Sequence, residues 1–313
     1  MKQNIINIPP KNIHSLNING MRGRYINIIS DKHQDRNILL IYGHHSSLER
    51  MYSLASYLVQ YGNVIMPDLP GFGDMDTFYK INKKPTIDNM ADYLASFIKL
   101  KYKNKKFAVC GMSYGFLVVT RMLQKYPELN NQIQLTVSLV GFADKSDFAM
   151  SRGLYSSLKF ISKALSIQPF NYLAQYVLFS KVSLYISYKL SASRHPKMKD
   201  ASKEEFNKRV RFEYYLWRCN DVRTYAYSLN EMLRVNLTNY MVNNNLHHIY
   251  VTQDQYLNQK KSIKSLSKIY KRVYTYQAKL PNHAPTVIAS TQEAGAFIPP
   301  KLRAKLKGSA IWK

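Results

Sequence analysis

Short apolar runs alternate with longer stretches of helical periodicity over the first 143 residues of the chain. In the longer stretches apolar residues recur every three to four positions, which is typical of a helix with one buried face. Strands that alternate with helices predict a parallel sheet covered by helices on both faces. The predicted strands are 37–42, 63–66, 106–110 and 134–140, and the predicted helices are 47–61, 86–101 and 116–126.

Two further strands precede these, since residues 14–30 are strand-like on both sides of Asn19-Gly20, a dipeptide typical of a tight hairpin turn. The run at 134–140 is therefore the sixth predicted strand.

The alternation stops after the sixth strand. The following residues are helix-like, aromatic and basic, and strand-like runs return only at 247–252 and 272–278. An all-helical cap inserted into an α/β sheet is the simplest explanation. Examples of the helix-like sequence are 154–166 and 172–190. The predicted division is a core at 1–143, a cap at 144–230 and the rest of the core at 231–313.

The net charge of +26, from 45 Lys and Arg against 19 Asp and Glu, is unusual. Such a surface attracts nucleic acid, anionic lipid or acidic substrates. The sequence has no helix-turn-helix pattern, zinc-finger spacing or RNA-binding signature, so we expect no specific nucleic-acid binding. Peripheral association with an anionic membrane and an ordinary solvated basic surface both remain open.

The compartment is predicted from what the sequence lacks. We find no signal peptide and no uncharged apolar stretch long enough to span a membrane. The two cysteines are too few for a disulfide framework. We therefore expect a reducing, cytoplasmic location, with association at the inner membrane surface as an option. In the last residues, leucines among lysines predict either a short surface anchor or a frayed end.

A lone serine lies between two glycines in Gly111-Met112-Ser113-Tyr114-Gly115, directly after a buried strand and before a helix. In that context the G-x-S-x-G pattern is typical of a nucleophile elbow, in which the serine backbone is strained and the strand and helix crowd the turn. The alternative is a turn in which the glycines alone matter.

A serine hydroxyl is a weak nucleophile without a base. Asp254 directly follows one late strand and His283 follows the next, so the order Ser, Asp, His is the one expected for a nucleophile elbow. We predict Ser113 as the nucleophile, His283 as the base and Asp254 as the acid that orients it. Asp144 and Asp147, which follow the sixth strand, are alternative acids.

The reaction also needs donors for a developing oxyanion. We predict the backbone N–H groups of Tyr114, after the nucleophile, and of His44, in the loop after the third strand. His45 and Met112 are predicted to line the substrate pocket. No histidine or cysteine spacing fits a metal site, and the wider G-x-G-x-x-G pattern is missing, so we expect no metal and no cofactor.

The sequence resembles the α/β-hydrolase superfamily, in the branch whose members carry a helical lid. The resemblance covers about 14–143 and 231–298 and rests on IYGHHSS, MPDLPGFGD, CGMSYG, the late Asp254 and NHAP. It implies the α/β-hydrolase fold and a serine hydrolase. The histidine usual before the oxyanion glycine is Tyr42 here. A serine in place of an attacking carboxylate argues against the dehalogenase and epoxide-hydrolase branches.

The leading hypothesis is a hydrolase of carboxylic esters that acts through an acyl-enzyme. The apolar, lysine-containing cap favours a medium or long acyl chain, although its residues could equally form the cap's own core. An amidase, thioesterase or acyltransferase would use the same residues. A non-catalytic lipid- or nucleic-acid-binding protein on a hydrolase scaffold is the alternative of another class. The acyl substrate itself and the oligomeric state are left open.

Overall fold

The computed structural model describes residues 8–191, 202–280, 283 and 290–312. Eight strands form one sheet: β1 (Ile13–Ile18), β2 (Met21–Ile28), β3 (Asn37–Ile41), β4 (Asn63–Pro67), β5 (Phe107–Met112), β6 (Ile133–Leu139), β7 (Val242–Tyr250) and β8 (Tyr270–Gln277). Their order is β1-β2-β4-β3-β5-β6-β7-β8. The pairs β1–β2 and β2–β4 are antiparallel and the other pairs are parallel. The predicted mostly parallel sheet is confirmed.

Helices flank this sheet. They are α1 (Leu48–Leu58), α2 (Ile87–Lys101), α3 (Tyr114–Lys125), α4 (Arg152–Leu165), α5 (Phe170–Leu173), α6 (Lys181–Ser191), α7 (Lys203–Cys219), α8 (Val222–Met232), α9 (Gln259–Ile269), α10 (Thr291–Ala296) and α11 (Pro300–Lys307). Thr86 caps α2 by accepting the N–H of Asn89 at 3.1 Å. Every residue of β5 is buried, as expected for a strand covered on both faces.

The first hairpin turns at the predicted dipeptide. Asn19 and Gly20 both have positive φ, 51° and 79°. Asparagine and glycine adopt this left-handed backbone more readily than other residues, and the resulting turn matches the twist of the two strands. The hairpin therefore supplies the antiparallel edge of the sheet.

Tyr42 takes part in a buried polar network at the carboxyl end of β3. Its hydroxyl donates to Asp68 Oδ1 at 3.0 Å and accepts the N–H of Leu69 at 2.7 Å. The other oxygen of Asp68 accepts Arg24 Nε at 2.8 Å. A buried carboxylate is tolerated only when its oxygens are satisfied. The tyrosine thus fixes the loop after β4 to the loop after β3.

Helices α4 to α8 lie between β6 and β7, and we call residues 152–232 the helical segment. It contacts the loops at the carboxyl ends of β3 and β4: Asp221 donates its N–H to Gly71 O at 2.9 Å, and Asn220 Oδ1 accepts the N–H of Gly73 at 2.9 Å. Its small apolar cluster of Ala174, Leu184, Trp217 and Val222 is separate from the main core.

The helix-like stretch 172–190 is divided into separate helical pieces in the structure. Helix α5 ends at Leu173, Ala174–Leu178 form a single π-helical turn, and α6 begins only at Lys181. Helical periodicity indicates a helix without fixing where the chain bends.

The last residues form part of the core rather than a surface anchor. Leu302 and Leu306 of α11 are buried in it, and Trp312 Nε1 donates to Leu306 O at 3.0 Å. Within the described ranges, the helices are all too short or too polar to cross a membrane.

Candidate active site

Ser113 occupies a strained turn between β5 and α3. Its backbone has φ 48° and ψ −115°, a region that non-glycine residues rarely adopt. Such a turn projects the serine side chain beyond the carboxyl end of the strand, at the start of the helix.

Crowding explains the two flanking glycines. A Cβ on Gly111 would lie 2.6 Å from Cα of Phe116, and one on Gly115 would lie 2.2 Å from the carbonyl oxygen of Tyr42. Both contacts involve backbone atoms that cannot move aside. Glycine at both positions therefore lets α3 approach β5 and the end of β3, which places Ser113 beside the loop after β3.

The structure brings the three predicted residues together although 170 residues separate the first from the last. His283 Nε2 lies 3.0 Å from Ser113 Oγ, and His283 Nδ1 lies 2.7 Å from Asp254 Oδ2. A carboxylate only accepts hydrogen bonds, so Nδ1 carries the proton and Nε2 of the neutral ring accepts the serine hydroxyl. The arrangement can move a proton from Ser113 Oγ onto the imidazole.

Four donors hold the Asp254 carboxylate, whose side chain is 1% exposed. Besides His283, Gln259 Nε2 donates to Oδ2 at 2.8 Å, and the N–H groups of Tyr256 and Leu257 donate to Oδ1 at 2.9 and 3.1 Å. An ionised carboxylate accepts about four hydrogen bonds. The acceptor set is full, which fixes the carboxylate in one orientation toward the imidazole.

The two alternative acids have other contacts. Asp147 is buried; its Oδ2 accepts the N–H groups of Ala143 and Asp144, both at 3.0 Å, and its Oδ1 accepts Ser265 Oγ–H at 2.7 Å. Asp144 Oδ1 accepts the N–H of Ser146 at 2.8 Å. These contacts close the turn after β6 and join it to α9.

One predicted oxyanion donor, Tyr114, directly follows Ser113, and the other, His44, lies in the loop after β3. Tyr114 begins α3, and the first N–H groups of a helix have no partner within it. His44 follows Gly43, where an added Cβ would lie 3.5 Å from Ser113 Cβ. The His44 side chain turns away to the helical segment, with Nε2 2.8 Å from Ser228 Oγ.

His45, predicted to line the pocket, connects the loop after β3 to the helical segment. Its Nε2 lies 3.0 Å from Glu213 Oε1, and its Nδ1 accepts Asn220 Nδ2 at 3.2 Å. Its ring packs on Trp217 with 4.1 Å between centroids, and Trp217 stacks on Phe179 at 3.5 Å. Met112, the other predicted pocket residue, is buried beside Gly43.

Two neighbours of the site were not found from the sequence. Gln259, at the start of α9, holds Asp254, and Tyr256 packs edge-on against His283 with 5.2 Å between ring centroids. Both lie within five positions of Asp254 in the loop after β7. Their closeness to Asp254 in the sequence could have indicated them, but closeness in sequence does not determine which side chains point toward Asp254 and His283.

His248, a buried neighbour of the site on β7, gives the protein a predicted pH dependence of stability. Burial lowers the pKa of His248 to about 4, although nearby Asp254 acts in the opposite direction. Between pH 6.5, the usual pKa of histidine, and pH 4, His248 is neutral in the folded state and protonated in the unfolded state. Unfolding therefore takes up a proton, and stability falls as the pH falls toward 4. We expect this residue alone to remove about 1.4 kcal/mol per pH unit over that range.

The measurement is urea unfolding at several pH values between 7 and 4, in wild type and His248→Asn. The amide can keep a hydrogen bond to Ser138 Oγ, which lies 2.9 Å from His248 Nδ1, and does not titrate. The variant should show a smaller loss of stability per pH unit. Equal slopes would contradict the prediction.

Comparisons with known proteins identify the fold. The family model described as the alpha/beta hydrolase fold matches residues 36–291. A search of curated proteins found no significant match. The solved structures that match include the epoxide hydrolase CorEH, with 16% identity, a TM-score of 0.65, and 96% of this chain and 99% of that chain covered.

Two other solved structures have similar scores. The thermophilic esterase from Thermogutta terrifontis is 14% identical, with a TM-score of 0.61, and the match covers 95% of this chain and 99% of that one. The enol-lactonase from Burkholderia xenovorans is 12% identical, with a TM-score of 0.63, and the match covers 94% of this chain and 99% of that one. At such identities a structural likeness establishes the fold. Since the family model covers most of the chain, this protein belongs to the α/β-hydrolase fold family.

Proposed function

We propose that this protein is a serine hydrolase that cleaves carboxylic esters through an acyl-enzyme. The observation that carries the proposal is the continuous set of contacts from Ser113 Oγ to His283 Nε2 at 3.0 Å and from His283 Nδ1 to Asp254 Oδ2 at 2.7 Å. It is supported by the strained backbone of Ser113 and by the four donors on Asp254.

In the first half-reaction Ser113 Oγ attacks the ester carbonyl while His283 Nε2 takes its proton. The negative charge that develops on the carbonyl oxygen is stabilised by the N–H groups of His44 and Tyr114. The tetrahedral intermediate then collapses, the bond to the alcohol oxygen breaks, and His283 returns the proton to the leaving alcohol. The acyl group is now bonded to Ser113 Oγ.

In the second half-reaction water replaces the alcohol. His283 takes a proton from the water, whose oxygen attacks the acyl carbonyl. Collapse releases the carboxylic acid and restores the Ser113 hydroxyl with the proton from His283. Asp254 keeps the imidazole in one tautomer and stabilises its protonated form in both steps. These steps use only side chains and backbone groups of the protein, without a metal or cofactor.

Serine also distinguishes the proposal from epoxide opening, although one structural neighbour is an epoxide hydrolase. The same proton path would serve an amide, a thioester or transfer of the acyl group to another acceptor, because each begins with attack on an acyl carbon. The proposal of ester hydrolysis is therefore tested directly against these substrates.

The test is hydrolysis of p-nitrophenyl esters from acetyl to palmitoyl, beside the matched p-nitroanilides and thioesters. We expect esters to be the best class and kcat/KM to rise from acetyl toward medium or long chains, since each buried methylene favours binding by about 0.8 kcal/mol. Turnover of anilides or thioesters alone would overturn the ester proposal. No turnover of any class would favour a binding protein on a hydrolase scaffold.

A further inference from the structure

The outer helices of the helical segment expose an unusual amount of apolar surface. In the described residues, fourteen of the twenty exposed large hydrophobic side chains lie between 152 and 190, with exposures of 41–75%. They are Leu154, Phe160, Ile161, Ile167, Phe170, Tyr172, Leu173, Tyr176, Val177, Leu178, Val182, Tyr185, Ile186 and Leu190. Apolar patches of this kind on a soluble protein mark a surface that binds something.

The burial pattern of these helices is inverted. The fully buried side chains of residues 152–190 are Ser162, Asn171, Ala174 and Leu184, and two of the four are polar. Ser162 Oγ, for example, accepts Asn230 Nδ2 at 3.1 Å. A helix that packs only on its own protein turns its apolar side inward. Here two of the four buried side chains are polar, while fourteen large apolar side chains are exposed.

The same surface is exclusively basic. The sequence contains no acidic residue between Asp147 and Asp200. Five cationic side chains accompany the apolar ones on these helices: Arg152, Lys159, Lys163, Lys181 and Lys189. Apolar residues interspersed with cations and without acids are the composition of segments that lie in the interface of an anionic bilayer.

Charge and composition select among possible occupants. A second copy of this chain would bring two acid-free cationic surfaces together, and like charges in contact oppose association. A nucleic acid would pair with the cations but leave the more numerous apolar side chains in water. An anionic lipid surface matches both the cationic and the apolar side chains, since its headgroups pair with the lysines and its acyl region accepts the apolar residues.

The patch is connected to the candidate active site. Helix α6, which exposes Val182 and Ile186, also places Tyr188 against Glu213, with a hydrogen bond between the two side chains. Glu213 in turn holds His45, whose loop carries the predicted oxyanion donor at His44. The side chain of Glu213 therefore links α6, whose outer face is exposed, to the loop beside Ser113.

We propose that residues 152–190, here called the docking face, bind the surface of an anionic membrane, and that the ester cleaved at Ser113 is a lipid acyl ester taken from that membrane. The docking itself is independent of the chemistry. The lipid identity of the substrate rests on the proposed ester hydrolase function.

Vesicle flotation tests the docking, with vesicles of phosphatidylcholine alone or mixed in equal parts with phosphatidylglycerol. We expect the full-length protein to float mainly with the anionic vesicles and less so as salt rises, because each lysine contributes through the surface potential. Equal binding to both vesicle types, or to neither, would overturn the docking proposal.

Substitutions separate the docking face from the rest of the surface. Leu178→Ser with Ile186→Ser removes side chains that are 57% and 51% exposed, and Leu100→Ser with Ile29→Ser is the matched control at 47% and 54%. We expect the first pair to lower vesicle affinity at least about tenfold and the control to leave it unchanged. Equal losses would assign the effect to general surface hydrophobicity and reject the docking face.

A second pair tests the charge. Lys163→Glu with Lys181→Glu should remove the preference for anionic vesicles, whereas Lys261→Glu with Lys268→Glu on the exposed side of α9 should not. The oligomeric state is measured alongside. A dimer that dissociates on Leu178→Ser with Ile186→Ser, without vesicle binding by wild type, would assign the face to a second copy and overturn the proposal.

The docking proposal and the lipid-substrate proposal can be rejected separately. Ser113→Ala should float like wild type, and the docking-face variants should hydrolyse a short soluble ester like wild type while losing activity on esters within vesicles. Vesicle binding without any ester turnover would reject the proposed function and keep the docking. Ester turnover that is no faster on vesicle-borne lipid and is unaffected by the docking-face variants would reject the lipid substrate.

Discussion

Replacing Ser113 with alanine is expected to reduce ester hydrolysis at least about ten-thousandfold, because the attacking oxygen is lost and the remaining oxyanion donors accelerate only the direct attack of water. The backbone should tolerate the change, since alanine meets the same strain at φ 48° that serine already bears. The measurement is kcat/KM on the best p-nitrophenyl ester, with circular dichroism to verify the fold.

Ser267→Ala is the matched control. Ser267 is an exposed serine on α9, and its hydroxyl donates to the carbonyl of Ile263 in the same helix. A fluorophosphonate should label wild type and the control but not Ser113→Ala. Retained turnover in Ser113→Ala would assign the attack to another group and remove the acyl-enzyme mechanism.

Asp254→Asn is expected to reduce kcat about ten-thousandfold with little change in the fold, as in other serine hydrolases that lose the correct histidine tautomer. The physical reason lies in the four donors around this carboxylate. An amide has one acceptor oxygen, so in either orientation its NH₂ group faces donors that it cannot satisfy. With the NH₂ group toward His283, Nδ1 has to accept a hydrogen bond and Nε2 carries the ring proton, so Nε2 can no longer take the proton of Ser113.

Asp147→Asn is the comparison that tests Asp147, the buried alternative acid, against Asp254. Asp147 accepts two backbone N–H groups and one hydroxyl, and it lies in the turn after β6. We expect its loss to lower the free energy of unfolding by about 1–3 kcal/mol and to change kcat by less than about threefold. The reverse outcome, a large loss of kcat in Asp147→Asn alone, would make Asp147 the catalytic acid.

Local patterns were sufficient to predict most of the fold. The dipeptide Asn19-Gly20 and the buried strand β5 each determine structure within a few residues, and each was predicted from the sequence. The break after α5 was not predicted, because helical periodicity does not mark a single π turn such as Ala174–Leu178.

The candidate site was predictable to the extent that chain order determines it. Ser113, Asp254 and His283 each follow a strand, and the carboxyl ends of neighbouring parallel strands meet at one edge of the sheet. Gln259 and Glu213 could not be found in this way. Their roles depend on side-chain directions and on how α7 lies over the loop after β3, which no short-range pattern encodes.

The stacking of Trp217 between Phe179 and His45 also gives the protein an intrinsic optical probe. The chain has two tryptophans, and the other, Trp312, lies at the far end of the sequence against Arg36. In a Trp312→Phe background all indole emission would come from the helical segment. Any movement of that segment away from the loop after β3 would change the quenching of a single fluorophore, so such a movement could be followed in real time without an attached dye.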